Sequence, residues 1–410
     1  MSQAPSPDLR SSPAVDGRPF HILPILVTAF AGSAAMMAFV ALVAPIARIA
    51  GLAPWQVGAA VTSAGLAWIV SAPLWGRSSD RRGRRPVLLV GVGGFAVSYG
   101  ALCILLDRAA AGLIGAGAVF AGMVIARTLA GLFYSAVPPV CAALVADHCA
   151  PNRRARAMAS IGAANALGMV MGPGAAGMLA AYSLGASLQL LAVLPIVAFG
   201  VLWFGIPSEA PRARTDRPAL RLTDARIRRA AVTAFVAMSA VVIAQIVVGF
   251  FALDRLGLAP AQAARASGIA LAVVGGALFA SQMVLRRLDW TPAAFIRAGG
   301  TIAAVGFGAS AFATEPLMLW IAYGVAACGM GWVYPSISAL AANAVEAHEQ
   351  GAAAGMVGAA QGLGAAIAPI VGTAVYALGQ GIPYLLVAAM LSAVALWPWT
   401  AGARPPMPRL

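Results

Sequence analysis

The sequence predicts an all-α protein threaded repeatedly through a membrane, with twelve spanning helices in two pseudo-symmetric bundles of six. Three observations carry that prediction. Apolar runs of about 20 residues recur from end to end, each long enough as a helix to cross about 30 Å of hydrocarbon. Of the 410 residues only 10% are charged and 61% are hydrophobic, and the mean hydropathy is +0.87, outside the range of soluble domains. Short segments of the first half also return in the second at a nearly constant offset.

Taken in order, residues 1–21 are rich in Ser and Pro and form a polar N-terminal tail. The apolar run behind them is too long for a signal-peptide core and has no obvious cleavage site, so 22–47 is the first span. GLAPWQ (51–56) turns the chain into the second span, 56–76, and the charged stretch WGRSSDRRGRRPVLL (75–89) separates that from the third, 86–106. The fourth, 112–146, overshoots the bilayer and is expected to emerge on the cytoplasmic side before Asp147. Spans five and six, 157–182 and 186–206, complete an N-terminal bundle over 22–206. Residues 207–228 are the one long polar gap, rich in Pro and Arg, and read as a cytoplasmic linker. The C-terminal bundle, 229–400, follows as 229–253, 263–285, 293–313, 317–343, 352–378 and 383–400, with a short tail at 401–410.

Charge sets the orientation. All 27 basic residues are arginine. With the 75–89 loop placed in the cytoplasm, the great majority fall on that side. Only Arg48, Arg108, Arg255 and Arg265 lie opposite, and Arg127 stays in the membrane. This bias places both termini in the cytoplasm, as expected for a multi-pass protein of a bacterial inner membrane. A pI near 11 would also fit a nucleic-acid binder. Arginines confined to short gaps between spans follow topology instead, and no nucleic-acid partner is expected.

The repeats divide the chain. GLAPWQ (51–56) returns as GLAPAQ (257–262), and GLFYSAVPP (131–139) is echoed by GWVYPSISA (331–339). IGAANALGMVMGPGAAG (161–177) is echoed by VGAAQGLGAAIAPIVGT (357–373), pairing Asn165 with Gln361 and Pro173 with Pro369. Two parallel six-helix halves with a site between them is a transporter architecture.

Other classes find little support. The cysteines Cys103, Cys141, Cys149 and Cys328 lack CxxC spacing, so neither a disulfide framework nor a metal site is expected. The three histidines are scattered at span ends, whereas a membrane enzyme would cluster them with acids or cysteines. No enzyme activity and no cofactor are expected. A sensor on the same fold would be expected to carry a further soluble domain.

Two motifs carry a resemblance. In the 75–89 loop, Gly76, Asp80, Arg81, Gly83, Arg84 and Arg85 match the pattern G-x-L-a-D-r-x-G-r-k, with Ser78 in place of the leucine. In the fifth span, GMVMGPGAAG (168–177) matches G-x-x-x-G-P-x-x-G-G through Gly168, Gly172, Pro173 and Gly177, with Ala176 at the penultimate glycine. On these motifs the chain resembles the major facilitator superfamily, specifically its twelve-helix drug:proton antiporters, which include tetracycline exporters. The resemblance covers 22–400.

It implies that the 75–89 motif latches the cytoplasmic side when the carrier faces outward, with Asp147 joining that network. A surface pair of Asp147 with Arg153 or Arg154 is the local alternative. From the residues themselves, Gly76 allows a close helix approach, Gly83 permits a tight reversal, and Asp80 can meet a helix N-terminus or an arginine. Ala164, Gly168, Gly172 and Ala176 form a smooth strip for helix packing, repeated by Ala360, Gly364, Ala368 and Gly372. Pro173 can bend its helix. Within the family the Gly-Pro motif points to export; a proton-coupled importer shares the loop motif and is the competing reading.

Arg127 matches a family arginine implied in proton coupling or substrate handling, and a snorkelling arginine is the alternative. None of the thirteen acids lies mid-span, so no buried proton carrier is evident, and Asp107 and Asp254 are the fallback candidates. The expected cavity residues are Tyr134, Asn165, Gln245, Gln282, Tyr334 and Gln361, with Met36, Met37, Phe250, Phe251 and Trp332 as an apolar wall. Helix–helix hydrogen bonds or lipid contact are the alternatives for these side chains. The expected partners are a small organic substrate, neutral or anionic, and protons, handled by a monomer in the bilayer. The substrate is either a drug or an endogenous product such as a siderophore.

Overall fold

The computed structural model describes residues 20–207, 225–346 and 349–397. Apolar runs that must satisfy their backbone internally become helices, and among the described residues there is no strand. The first half contains α1 (Leu23–Ile49), α2 (Pro54–Arg82), α3 (Arg84–Ala110), α4 (Ala116–Tyr134), α5 (Val137–His148), α6 (Pro151–Ala180) and α7 (Leu184–Gly205). The second contains α8 (Arg228–Asp254), α9 (Pro260–Leu285), α10 (Pro292–Ser310), α11 (Pro316–Asn343), α12 (Gln350–Tyr376) and α13 (Ile382–Ala395). Eleven spans among the described residues are long and apolar enough to cross a membrane, α4 and α5 counting as one, and the apolar α13 is shorter. The tails and most of the 207–228 segment lie outside the described residues.

The expected fourth span, 112–146, is not one continuous helix. Pro138 and Pro139 cannot donate to the carbonyls of Tyr134 and Ser135, and the helix breaks between α4 and α5. Side chains cover the break. The Trp75 indole donates to the Leu132 carbonyl at 2.7 Å, and Ser71 and Ser135 share a hydroxyl bond of 2.7 Å.

The second span, expected to end at 76, instead continues as α2 through the charged motif to Arg82. Gly83 alone makes the reversal, at φ 91°, a conformation that resists a Cβ. Gly76 does not serve a close approach, because a Cβ there would meet only Pro139 Cβ at 4.0 Å.

Each half packs around an equivalent pair, α1 on α6 and α8 on α12. The halves meet chiefly through α2 on α12 and α6 on α9, with α1 against α8 and α9. These contacts cluster toward the end of the molecule that carries Gly51 and Gly257. Gly58 abuts Thr373 and Pro369, Gly65 abuts Ala366, and Gly177 and Gly268 abut each other. The Ile370 amide donates to Thr62 Oγ1 at 3.3 Å. Arg48 and Asp254 close the same end across the two halves at 2.6–2.7 Å, and the Tyr376 hydroxyl donates to Asp254 at 2.9 Å. Toward the opposite, Gly83 end, Gly162, Gly351, Gly355 and Gly358 face open space.

Candidate functional site

Between the halves lies a cavity of about 470 Å³, built from α1, α2, α4, α6, α8 and α12. Its wall is mostly apolar. Met36, Met37 and Val40 come from α1, Val61, Trp68 and Ile69 from α2, Met169 from α6, and Met238, Val242 and Ile246 from α8. Ser33, Arg127, Tyr134, Gln245 and Gln361 are its polar members. No acid lines it.

Four expected polar residues therefore meet in one place, Arg127, Tyr134, Gln245 and Gln361, together with the expected wall residues Met36 and Met37. Arg127 is 6% exposed and does not snorkel. Its Nη1 lies 3.4 Å from the Met36 sulfur and its guanidinium carbon 4.5 Å from the Phe39 ring centroid. Its Nε is buried without a hydrogen-bond partner. Tyr134 stacks edge-on with Trp68 and tilted against Phe95, which aims its ring inward.

The other expected lining residues lie elsewhere. Asn165 sits on α6 facing α1, where its Oδ1 accepts from Ser33 at 2.6 Å, so it positions a lining hydroxyl without lining the cavity itself. Tyr334 turns its hydroxyl to the Ala237 carbonyl on α8 at 3.5 Å. Gln282 is exposed on α9 beyond the cavity. Phe250 and Phe251 are fully buried in the C-terminal core. Trp332 packs on Trp290 and Phe295 and donates to the Ser281 carbonyl. Sequence reasoning missed Trp68, Met169 and Met238. An aromatic or thioether in an apolar span looks the same whether it faces a cavity, a neighbour or lipid, so no signal marked them.

The Gly-Pro motif of α6 is a packing element with two faces. A Cβ at Gly168 would lie 2.4 Å from the Phe30 carbonyl, and one at Gly172 2.3 Å from that of Ala34, so α6 lies against α1 there. Gly177 and the Pro173 carbonyl instead meet Ala264 and Gly268 of α9, across the halves. On α12 the repeat does the same work, with Gly364 against Phe235 and Ser239 of α8 and Gly372 against Ile243.

At the Gly83 end the charged motif closes on itself. Arg84 pairs with Asp80 one turn earlier across the Gly83 reversal, with Asp147 of α5 at 3.1 Å, and with the Ser79 hydroxyl at 2.8 Å. Asp147 thus meets the motif, while Arg154 turns to the carbonyls of Ala146 and Cys149. Arg85 donates to the Trp203 carbonyl at 2.9 Å, and Arg81 is exposed. Asp254 is engaged in the opposite clasp with Arg48.

Comparisons with known proteins agree with this fold. The chain is 29% identical to the class G tetracycline resistance protein of Vibrio anguillarum over 378 residues, covering 88% of this chain and 86% of that one. It is 28% identical to the class C protein of Escherichia coli, covering 78% and 80%. A segment of 118 residues is 36% identical to a triacylglyceride transporter of Mycolicibacterium smegmatis, covering 29% of this chain and 19% of that protein. Among solved structures, a mutant of the nucleoside transporter NupG superposes with a TM-score of 0.72 at 12% identity, covering 91% of this chain and 98% of that one. The human organic anion transporter MFSD10 superposes at 0.64 and 18% identity, covering 91% and 97%. The matched proteins are transporters, not enzymes. With the family profile described as Major Facilitator Superfamily matching residues 25–369, this multi-pass membrane protein belongs to that superfamily.

Proposed function

We propose that this chain exports a small organic molecule by alternating access in exchange for protons, with its Gly83 end and both termini in the cytoplasm. The observation that carries the reading is the central cavity, closed toward the Gly51 end by the α2–α12 and α6–α9 contacts and parted toward the Gly83 end. In that arrangement the cavity receives cargo from inside. Opening to the far side requires the small-residue contacts around Gly65 and Gly177 to separate and the Gly83 end to close. Asp80, Arg81, Gly83, Arg84, Arg85 and Asp147 form the gating set of that end. Gly168, Gly172, Pro173 and Gly177 couple α6 to both halves. The likeness to two tetracycline resistance proteins over most of the chain supports export of a drug, and an endogenous product such as a siderophore is the other cargo class of this reading. Since no acid lines the cavity, proton exchange is assigned to Asp254, the acid that ties the halves at the outer end. One chain, acting as a monomer, holds the whole path.

The test compares secreted and intracellular small molecules of a deletion strain and its parent by mass spectrometry, under iron-replete and iron-starved growth. A metabolite that vanishes from the medium and accumulates inside identifies a dedicated exporter. An unchanged secretome with heightened drug sensitivity identifies a drug pump. A medium component left unconsumed by the mutant would replace export with import.

A further inference from the structure

We infer that the central cavity is an anion site: it takes an amphipathic organic anion whose acidic group pairs with Arg127 while its apolar body lies against Met36, Met37, Trp68, Met169 and Met238. The inference deepens the export reading and rests on it for direction of movement only.

Arg127 sets the chemistry. A guanidinium carries five N–H donors and stays charged. This one is 6% exposed, and its Nε has no partner at all. It touches a thioether, which is a weak acceptor, and the face of Phe39, and it lies near the phenol of Tyr99, a neutral group that donates its proton to the Ala35 carbonyl. Buried charges in folded proteins are paired, because an isolated one loses its hydration without return. No carboxylate of the described chain supplies that pairing. The cavity contains no acid to offset the charge, and its other polar groups, Ser33, Tyr134, Gln245 and Gln361, are neutral. The repeat offers no balance either: at the 200-residue offset that pairs Tyr134 with Tyr334, Ala327 stands opposite Arg127.

The field inside is therefore positive, and the apolar wall leaves it poorly screened. An organic cation would meet an uncompensated like charge, and a neutral molecule could hydrogen-bond the guanidinium but would leave its charge uncompensated. A carboxylate fits the planar fork and adds charge-assisted hydrogen bonds. The wall excludes small inorganic anions as cargo, because it offers them methionine and tryptophan in place of water. Methionines adapt to irregular apolar shapes, and about 470 Å³ lies within the usual size of a small-molecule site.

The test uses full-length protein in lipid nanodiscs and an isosteric probe pair, radiolabelled 2-naphthoate and its neutral amide, 2-naphthamide. Empty nanodiscs correct for partition into lipid. The wild type is expected to bind the carboxylate at least about tenfold more tightly than the amide. Arg127→Gln should bring the two affinities within about twofold of each other, and Arg127→Lys should keep part of the preference. Should the glutamine variant not accumulate, the wild-type preference and its reduction in the lysine variant decide the matter. Equal affinities in the wild type, no saturable binding of the carboxylate, or an undiminished preference in either variant would overturn the anion site. None of these results touches export, which the secretome comparison decides. A finding of import would likewise leave the anion preference standing.

Discussion

Arg84 is the residue on which the charged motif converges. It bridges Asp80 and Asp147 and also reaches Ser79, so two carboxylates meet at one guanidinium. Arg84→Ala leaves both acids without it in a half-buried setting, and we expect it to cost about 1–3 kcal/mol of local stability and to slow transport more than loss of either acid alone. Asp80→Ala should still insert normally, because Arg84 retains Asp147, and should lose most transport, because the pair across the Gly83 reversal is gone. Transport by proteoliposomes, normalised to inserted protein, checks the order; full activity of the Asp80 variant would remove the motif from the gate. These residues are legible in the sequence because their spacing is a pattern in itself, and Gly83 is the reversal that pattern requires. Gly76 is not, since a glycine in a motif does not reveal whether a neighbour is close. Tyr334 and Gln282 escape for a related reason: a polar side chain in an apolar span gives no sign of whether it faces a cavity, a carbonyl or the surface.

Helices obey a different constraint, since in hydrocarbon they must pack without help from water. The α6 strip does so by bringing backbone onto backbone. Gly172→Ala places a methyl 2.3 Å from the Ala34 carbonyl, so α1 and α6 must part, at a cost of about 1–3 kcal/mol. Gly162→Ala, ten residues earlier on the same helix, points into open space and should leave the melting temperature unchanged or slightly raised. Thermal melts of the two purified variants make the comparison, and equal melting temperatures would mean that α6 does not rely on that contact. The broken span between α4 and α5 gives a second case. Trp75→Phe keeps an aromatic ring but leaves the Leu132 carbonyl to the Ser71 and Ser135 hydroxyls, with an expected loss of about 0.5–1.5 kcal/mol read by the same melts. The number of spans, their order and the small-residue strips are all readable, since hydropathy and four-residue spacing are one-dimensional signals. The break is not, although both prolines are visible, because an apolar window weighs length and overlooks missing donors. How α6 divides its glycines between α1 and α9 depends on three-dimensional placement that no single helix encodes.

The whole molecule is organised about its internal repeat, and the clasp at the Gly51 end follows from it. Arg48 and Asp254 are separated by 206 residues, the same offset that relates GLAPWQ to GLAPAQ. They are therefore equivalent positions of the two halves, and equivalent positions approach each other where the pseudo-twofold axis passes. Two identical side chains there would repel or ignore each other; divergence to arginine and aspartate turns the axis into an ion pair, which Tyr376 completes from α12. Arg48 is 43% exposed and Asp254 25%, so the pair is worth only about 0–1 kcal/mol. A contact that weak cannot hold the halves together against the adjoining helix packing, but it suffices to shift a balance between two states of similar energy. Asp254→Asn removes the charge, mimics protonation and keeps an acceptor for Tyr376. We expect it to raise the fraction of molecules open at the Gly51 end by about two- to fivefold. The readout is the modification rate of a cysteine placed at Gln361, on a background lacking the four native cysteines, by an impermeant maleimide added from the outside. A rate equal to that of the parent, measured alongside Arg48→Gln as the partner variant, would mean that the α2–α12 and α6–α9 contacts alone set the closure and that the charges on the axis take no part in it.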